Sequence, residues 1–192
     1  MSDIVILGIF VADTAYRADR QPKMGETILG TSFVLGPGGK GSNQSVAASM
    51  AGGKTSIITR LGKDAFADIA RATWAKAGVH PHVTEDAESY TGAAYIFLEN
   101  ATGNNAIIVA AGAAGRIDVS DVEANRALIE GAKVFITQLE QPIPAAKRAL
   151  EIARAAGVKT ILNPAPAAPL DDDLLALCDF ITPNESETES LT

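Results

Sequence analysis

Residues 35 to 44 read Leu35-Gly36-Pro37-Gly38-Gly39-Lys40-Gly41-Ser42-Asn43-Gln44, and a helical pattern, Ser45 to Ala51, follows. Glycines let a backbone approach a ligand closely and aim N–H groups at it, and a helix N-terminus behind them adds partial positive charge. The chemistry on offer is the gripping of something electronegative. Gly36, Gly38 and Gly41 match G-x-G-x-x-G, which would predict a dinucleotide. That fingerprint belongs after the first strand of a βαβ unit; here the preceding strand belongs to an insertion and a lysine sits inside the turn. Ala48 to Thr55 misses the phosphate-loop pattern only at Ala48, yet Gly52-Gly53-Lys54-Thr55 leaves a helix and enters a strand, as a helix C-terminal turn does. His80 and His82 flank Pro81 in an expected loop, and two histidines without further ligands read as surface decoration. Cys178 and Trp74 read as core packing, and Asp171-Asp172-Asp173 as the favourable acidic start of a helix.

The elements that must position these residues follow from periodicity. Short β-branched runs predict strands at Ile4 to Phe10, Ser56 to Arg60, Val134 to Leu139, Thr160 to Leu162 and Phe180 to Thr182. Alanine-rich segments between them predict helices. Asp64 to Ala77 aligns Phe66, Ile69, Ala70, Thr73 and Trp74 along one side, Ser120 to Glu130 opens on a capping box from Ser120 to Glu123, and Ile143 to Ala156 is a third. Gly78, Gly131 and Gly157 each stand before the next strand, where a left-handed C-cap is wanted. Helix, glycine, strand, repeated, predicts an α/β fold: a mostly parallel sheet covered on both faces, three layers in all. Thr14 to Leu35 and Tyr90 to Val109 break the rhythm with turn signals and extended character. They predict a small second sheet, either a lid of strands from about 14–35 and 90–109 or a pair of surface hairpins.

Gly38-Gly39-Lys40-Gly41-Ser42-Asn43-Gln44 after an extended segment resembles the sugar-binding signature of ribokinase and its relatives, the PfkB carbohydrate kinases. Other landmarks fall in the family's order across the whole chain: Asp13 beyond the first strand, Gly25-Glu26-Thr27, Gly62-Lys63-Asp64, Thr91-Gly92, Gln138-Leu139-Glu140, Asn163-Pro164-Ala165-Pro166 and Asn184-Glu185-Ser186-Glu187. The resemblance implies an ATP- and Mg²⁺-dependent kinase for a primary hydroxyl of a small sugar, ribose first, with a monovalent cation in the complete protein. Asp13, Gly38, Gly39, Asn43 and Glu140 would hold the sugar, and Lys40 would serve the sugar or the transferred phosphate. Asn184 and Glu187 match the N-x-x-E motif that organises Mg²⁺ and phosphate, with Glu187 meeting the metal through water. Singly, Asp13 also reads as an Asx turn, Asn43 as a helix cap and Glu140 as a strand-end charge. Ribokinases typically carry asparagine at the position of Val11, which leaves other small sugars, nucleosides and polyols open. The family's lid strands often pair across a two-fold axis, so a homodimer is implied.

In the family the catalytic base is an aspartate of a later D-T-x-G-A-G-D stretch, and these 192 residues contain none. The expectation is one incomplete domain over 1–192, with its C-terminal portion absent, marginally stable and nearly inactive alone. A non-catalytic sugar-binding or regulatory protein is the competing reading. Sixteen Lys and Arg against 23 Asp and Glu give a net charge of −7, which argues against nucleic-acid partners while leaving room for a nucleotide. No stretch approaches the ~20 apolar residues of a membrane span. The single cysteine and the opening apolar run, with no basic leader, read as a cytoplasmic protein whose first residues form a buried strand.

Overall fold

The computed structural model describes residues 2–191. In chain order the strands are β1 (Ile4–Leu7), β2 (Val11–Ala18), β3 (Ser32–Gly38), β4 (Thr55–Leu61), β5 (His80–Glu85), β6 (Thr91–Glu99), β7 (Asn105–Gly112), β8 (Val134–Thr137), β9 (Lys159–Leu162) and β10 (Phe180–Ile181). The helices are α1 (Lys40–Met50), α2 (Ala65–Ala77), α3 (Val119–Ala124), α4 (Arg126–Glu130), α5 (Ile143–Ala155), α6 (Asp172–Leu175) and α7 (Glu185–Leu191).

Six strands form the main sheet in the order β10-β9-β8-β1-β4-β5, with every pair parallel. A strand covered on both faces needs apolar residues at successive positions, and Val5, Ile6 and Leu7 of β1 are wholly buried. Two clusters lie on opposite faces, as the period of two along a strand requires. Ile58 joins Val5, Leu7, Phe135 and the buried side of α5, while its neighbour Ile57 joins Leu61, Ala67, Ala70 and Trp74 of α2. Trp74 is fully buried, edge-on to Phe10 with ring centroids 5.9 Å apart, and its indole N–H donates to Ser42 Oγ at 3.0 Å. The mostly parallel α/β architecture expected from the pattern is present.

Several local expectations differ. Residues 80–85 form an edge strand rather than a loop: Pro81 lacks an N–H, which only an edge position tolerates. Helix α1 begins at Lys40, five residues before the apolar pattern suggested, so Lys40 to Gln44 are its first turn. The capping box lies earlier as well. Asp118 caps α3 and Asp121 returns the bond, while the stretch expected as one helix breaks at Asn125 into α3 and α4. Gly78 and Gly157 do adopt positive φ, but Gly131 stays right-handed at φ −86°.

The second sheet has the order β3-β2-β6-β7, with β2 antiparallel to β3 and parallel to β6, and β6 antiparallel to β7. Its chain comes from two excursions, one after β1 and one after β5. Asp64 ties it to the main body: Oδ1 caps α2 by accepting from Ala67 N at 2.9 Å, and Oδ2 accepts from Thr91 N, at the start of β6, at 2.7 Å. Burial opposes ionisation of Asp64, yet these amides outweigh it and hold its pKa below the ordinary aspartate value.

Candidate functional site

From β1 the chain leads first to β4 and β5 on one side and later to β8, β9 and β10 on the other, so the order reverses between β1 and β8. Ligands of open α/β sheets bind in the crevice outside the carboxyl ends of strands at such a point. Three chain segments converge there: the exit from β1, which turns at Gly8 into β2; the β3 to α1 junction; and Gln138-Leu139-Glu140 after β8.

Asp13 stands on β2 opposite Gly36, with Gly38 two residues further along the partner strand. Its carboxylate lies directly against the Gly38 backbone, where any Cβ would overlap all three carboxylate atoms. At Gly39 the backbone takes φ +88°, a conformation suited to glycine, and turns into α1. The next amide, Lys40 N, donates to Glu140 Oε2 at 2.7 Å across 100 residues of sequence. The electronegative group at this helix N-terminus is thus a carboxylate of the protein itself, in the place the helix dipole favours. Burial raises the pKa of Glu140; the Lys40 amide and ammonium act in the opposite sense, and the negative charge of Asp13 adds to the rise. Burial likewise raises the pKa of Asp13. Two partly desolvated carboxylates, a lysine and a glycine backbone therefore share one polar crevice.

The other candidates lie around this centre. Asn43 is exposed on the first turn of α1, not at its cap, with its backbone N–H bonded to Gly39 O at 2.9 Å. Val11 is buried in the larger apolar cluster, so this position contributes methyl groups to the core. Asn184 and Glu187 follow β10 at the same carboxyl edge, two strands from β8, roughly 10 Å by interstrand spacing. They form a reciprocal cap: Glu187 N donates to Asn184 Oδ1 and Asn184 N to Glu187 Oε2, each at 2.8 Å. Glu187 is buried and Asn184 exposed. The cap leaves one carboxylate oxygen, Oε1, uncommitted to it. Among the described residues no group of three or more His, Cys, Asp or Glu side chains is placed to hold a metal ion. This donor set suits a cation that keeps its water shell, as Mg²⁺ does, and not an all-protein cage.

The remaining sequence candidates stand apart. His80 and His82 belong to the edge strand β5. Cys178 is half-buried beside the larger cluster, and burial pushes its thiol up to about 11, which leaves it inert as a nucleophile. Asp171 caps α6 through Leu174 N at 2.9 Å. Gln44 and Gln138 fall inside the motif segments without a role of their own, and Gln141 lies just beyond them. Two glutamines at the end of an apolar strand were a usable signal, because a buried amide needs partners. No helix among the described residues is long and apolar enough to cross a membrane.

The profile of the pfkB family carbohydrate kinases matches residues 1–192. The chain is 36% identical over 190 residues to the ribokinase of Haemophilus influenzae, covering 98% of this chain and 62% of that protein. It is 38% identical over 191 residues to the ribokinase of Mus musculus, covering 98% of this chain and 59% of that one. Among solved structures, the Arabidopsis thaliana ribokinase complexed with ribose and ATP superposes with a TM-score of 0.88 at 29% identity, over 100% of this chain and 62% of that one. The chain thus spans about 60% of the length of these relatives. With a ribokinase-like sheet, the glycine turn at its switch point and a family match from end to end, the chain belongs to the pfkB family of carbohydrate kinases.

Proposed function

We propose that these residues are the sugar-holding part of an ATP-dependent kinase that phosphorylates a primary hydroxyl of a small sugar, ribose first. The observation that carries the proposal is the pairing of Asp13, pressed onto the Gly38 backbone, with Glu140, anchored on Lys40 N. A sugar offers hydroxyl donors around a ring, and two fixed carboxylates beside a close-approaching backbone accept them in one orientation. Asn43 completes the polar ring from α1, and Lys40 places positive charge where a phosphoryl group would arrive. Bound ATP supplies the phosphoryl group, with Mg²⁺ spreading its charge. Asn184 and Glu187, at the same carboxyl edge of the sheet, would face the phosphate side of the site, with Glu187 Oε1 outside the cap and available to a hydrated cation. The second sheet serves as a lid over the sugar, excluding water during transfer. Tyr16, Phe33, Leu35 and Ile108 share its face opposite Asp13 and are exposed and apolar, which favours a homodimer through that face. The proton of the attacking hydroxyl goes to a base outside these residues.

Calorimetry with ribose tests the binding half of the proposal: saturable binding is expected, and its absence in the presence of ATP and Mg²⁺ as well would overturn it. Assay of the chain with ribose, ATP and Mg²⁺ tests the other half. No turnover is expected, and turnover at an ordinary kinase rate would place the base within these 192 residues.

A further inference from the structure

Behind the crevice lies a buried band of amides. Gln138, wholly buried, donates from Nε2 to Gln44 Oε1 on α1, bridging segments 94 residues apart in sequence. Its Oε1 has no hydrogen-bond partner and lies against the backbones of Gly8, at the end of β1, and Gly41, in the first turn of α1. Either glycine given a Cβ would meet that oxygen or the other glycine's Cα. Gln141, also buried, donates from Nε2 to Gln138 O at 2.5 Å and to Thr137 Oγ1 at 2.8 Å. Thr137 Oγ1 in turn donates to Leu7 O at 3.2 Å. The end of β8 is thereby joined by side-chain bonds to the start of α1, just past the Leu7–Thr137 pair that ends the β1–β8 backbone ladder.

A hydrophobic residue of similar length would fill this space without burying an unpartnered amide oxygen, which is costly. The amide sits where two glycines leave room for it, two residues from Glu140. Helix α1 has no side-chain cap of its own, and its first turn carries Lys40 and Asn43. The geometry points to Gln138 as a positioning residue of the sugar site. Its bond to Gln44 and its seat between Gly8 and Gly41 fix the first turn of α1 against β8, and so fix where Lys40 N meets Glu140. The inference rests on the sugar-site reading for its functional consequence, but not for its structural one.

The experiment uses Gln138→Met, Gln44→Met and the double variant in the full 192-residue chain. Two readouts are taken: the ¹⁵N–¹H resonance of Lys40 without ligand, and ribose affinity by calorimetry. Each single change is expected to shift the Lys40 resonance upfield, as its charge-assisted bond to Glu140 lengthens, and to weaken ribose binding about tenfold. The double variant should lose no more than either single one, because both cut the same bridge. Ile129→Val, in the core away from the crevice, should lower the melting temperature and leave both readouts unmoved. Should Gln138→Met fail to fold, Gln44→Met on the half-buried face of α1 carries the same test. An unchanged Lys40 resonance in both Met variants, or additive losses near a hundredfold in the double one, overturns the positioning role. If the wild-type chain binds no ribose while the Lys40 resonance still shifts, the positioning stands and the sugar reading falls.

Discussion

Asp13 and Glu140 gain their character from where they are held. Burial raises the pKa of both, and the charge of Asp13 adds to the rise at Glu140. A carboxyl whose pKa is raised on folding binds protons more tightly in the folded state, so its contribution to stability is present at low pH and is lost as pH rises through the folded value. Asp13→Asn should therefore raise the melting temperature at pH 7 while weakening ribose binding about tenfold to a hundredfold, the worth of a hydrogen bond to a charged acceptor. Differential scanning calorimetry and a binding isotherm on one sample check both signs, and a variant less stable than the wild type would refute the first. Affinity for ribose should fall on acidification sooner than two ordinary carboxylates would make it, because the acceptors must be ionised. At this scale the sequence carried residue identity but not company. Asp13, Lys40 and Glu140 announced themselves by type and motif, whereas Gln138 acts through Gln44, a partner that no local pattern reveals.

Elements were legible where one physical signal dominated. The starts of β1 and β8 and the alanine-lined face of α5 read directly from their periods, but the strands stop at Leu7 and Thr137, short of Phe10 and Leu139, because the apolar run continues past the turn at Gly8 and past Gln138. Helix α1 was misplaced because Gly41, Ser42 and Asn43 are poor helix formers, and its first turn is held by the carboxylate of Glu140 from a distant segment. The α3 cap was misplaced because two overlapping acidic patterns compete there, and Asp118 prevails with Asp121 buried against Arg60 and Thr84. Asp64 is the element-level hinge pin, since it caps α2 and receives the first amide of β6. Asp64→Ala should cost about 1 kcal/mol for the cap and a further 1–3 kcal/mol or so for the stranded Thr91 amide. Urea unfolding measures the sum, and a loss below about 1 kcal/mol would show that Asp64 does not join the sheets. Its pKa is lowered in the fold, so its contribution is present above the ordinary aspartate range and fades as pH falls below it.

For the molecule as a whole, the outer face of the second sheet is the feature its own chain does not satisfy. Ile108 is 68% exposed there, beside a tilted stack of Tyr16 on Phe33 and Tyr95. Light scattering should find the wild-type chain dimeric at tens of micromolar, and Ile108→Asp should make it monomeric with its fold intact; a monomeric wild type would refute the dimer. The mostly parallel sheet was legible because alternation of helix and strand admits few topologies. The order of the second sheet was not, because β2 and β6 pair across some 80 residues. That separation has a temporal consequence. During synthesis β2 and β3 emerge as a lone hairpin, and β2 waits for about half the chain to follow before its second neighbour exists. The Lys40 to Glu140 contact waits longer still. Distant pairings bear their loop-closure entropy before any contact repays it. The crevice is therefore among the last parts of the molecule to take shape, and the half-made sheet must be kept from other chains until then.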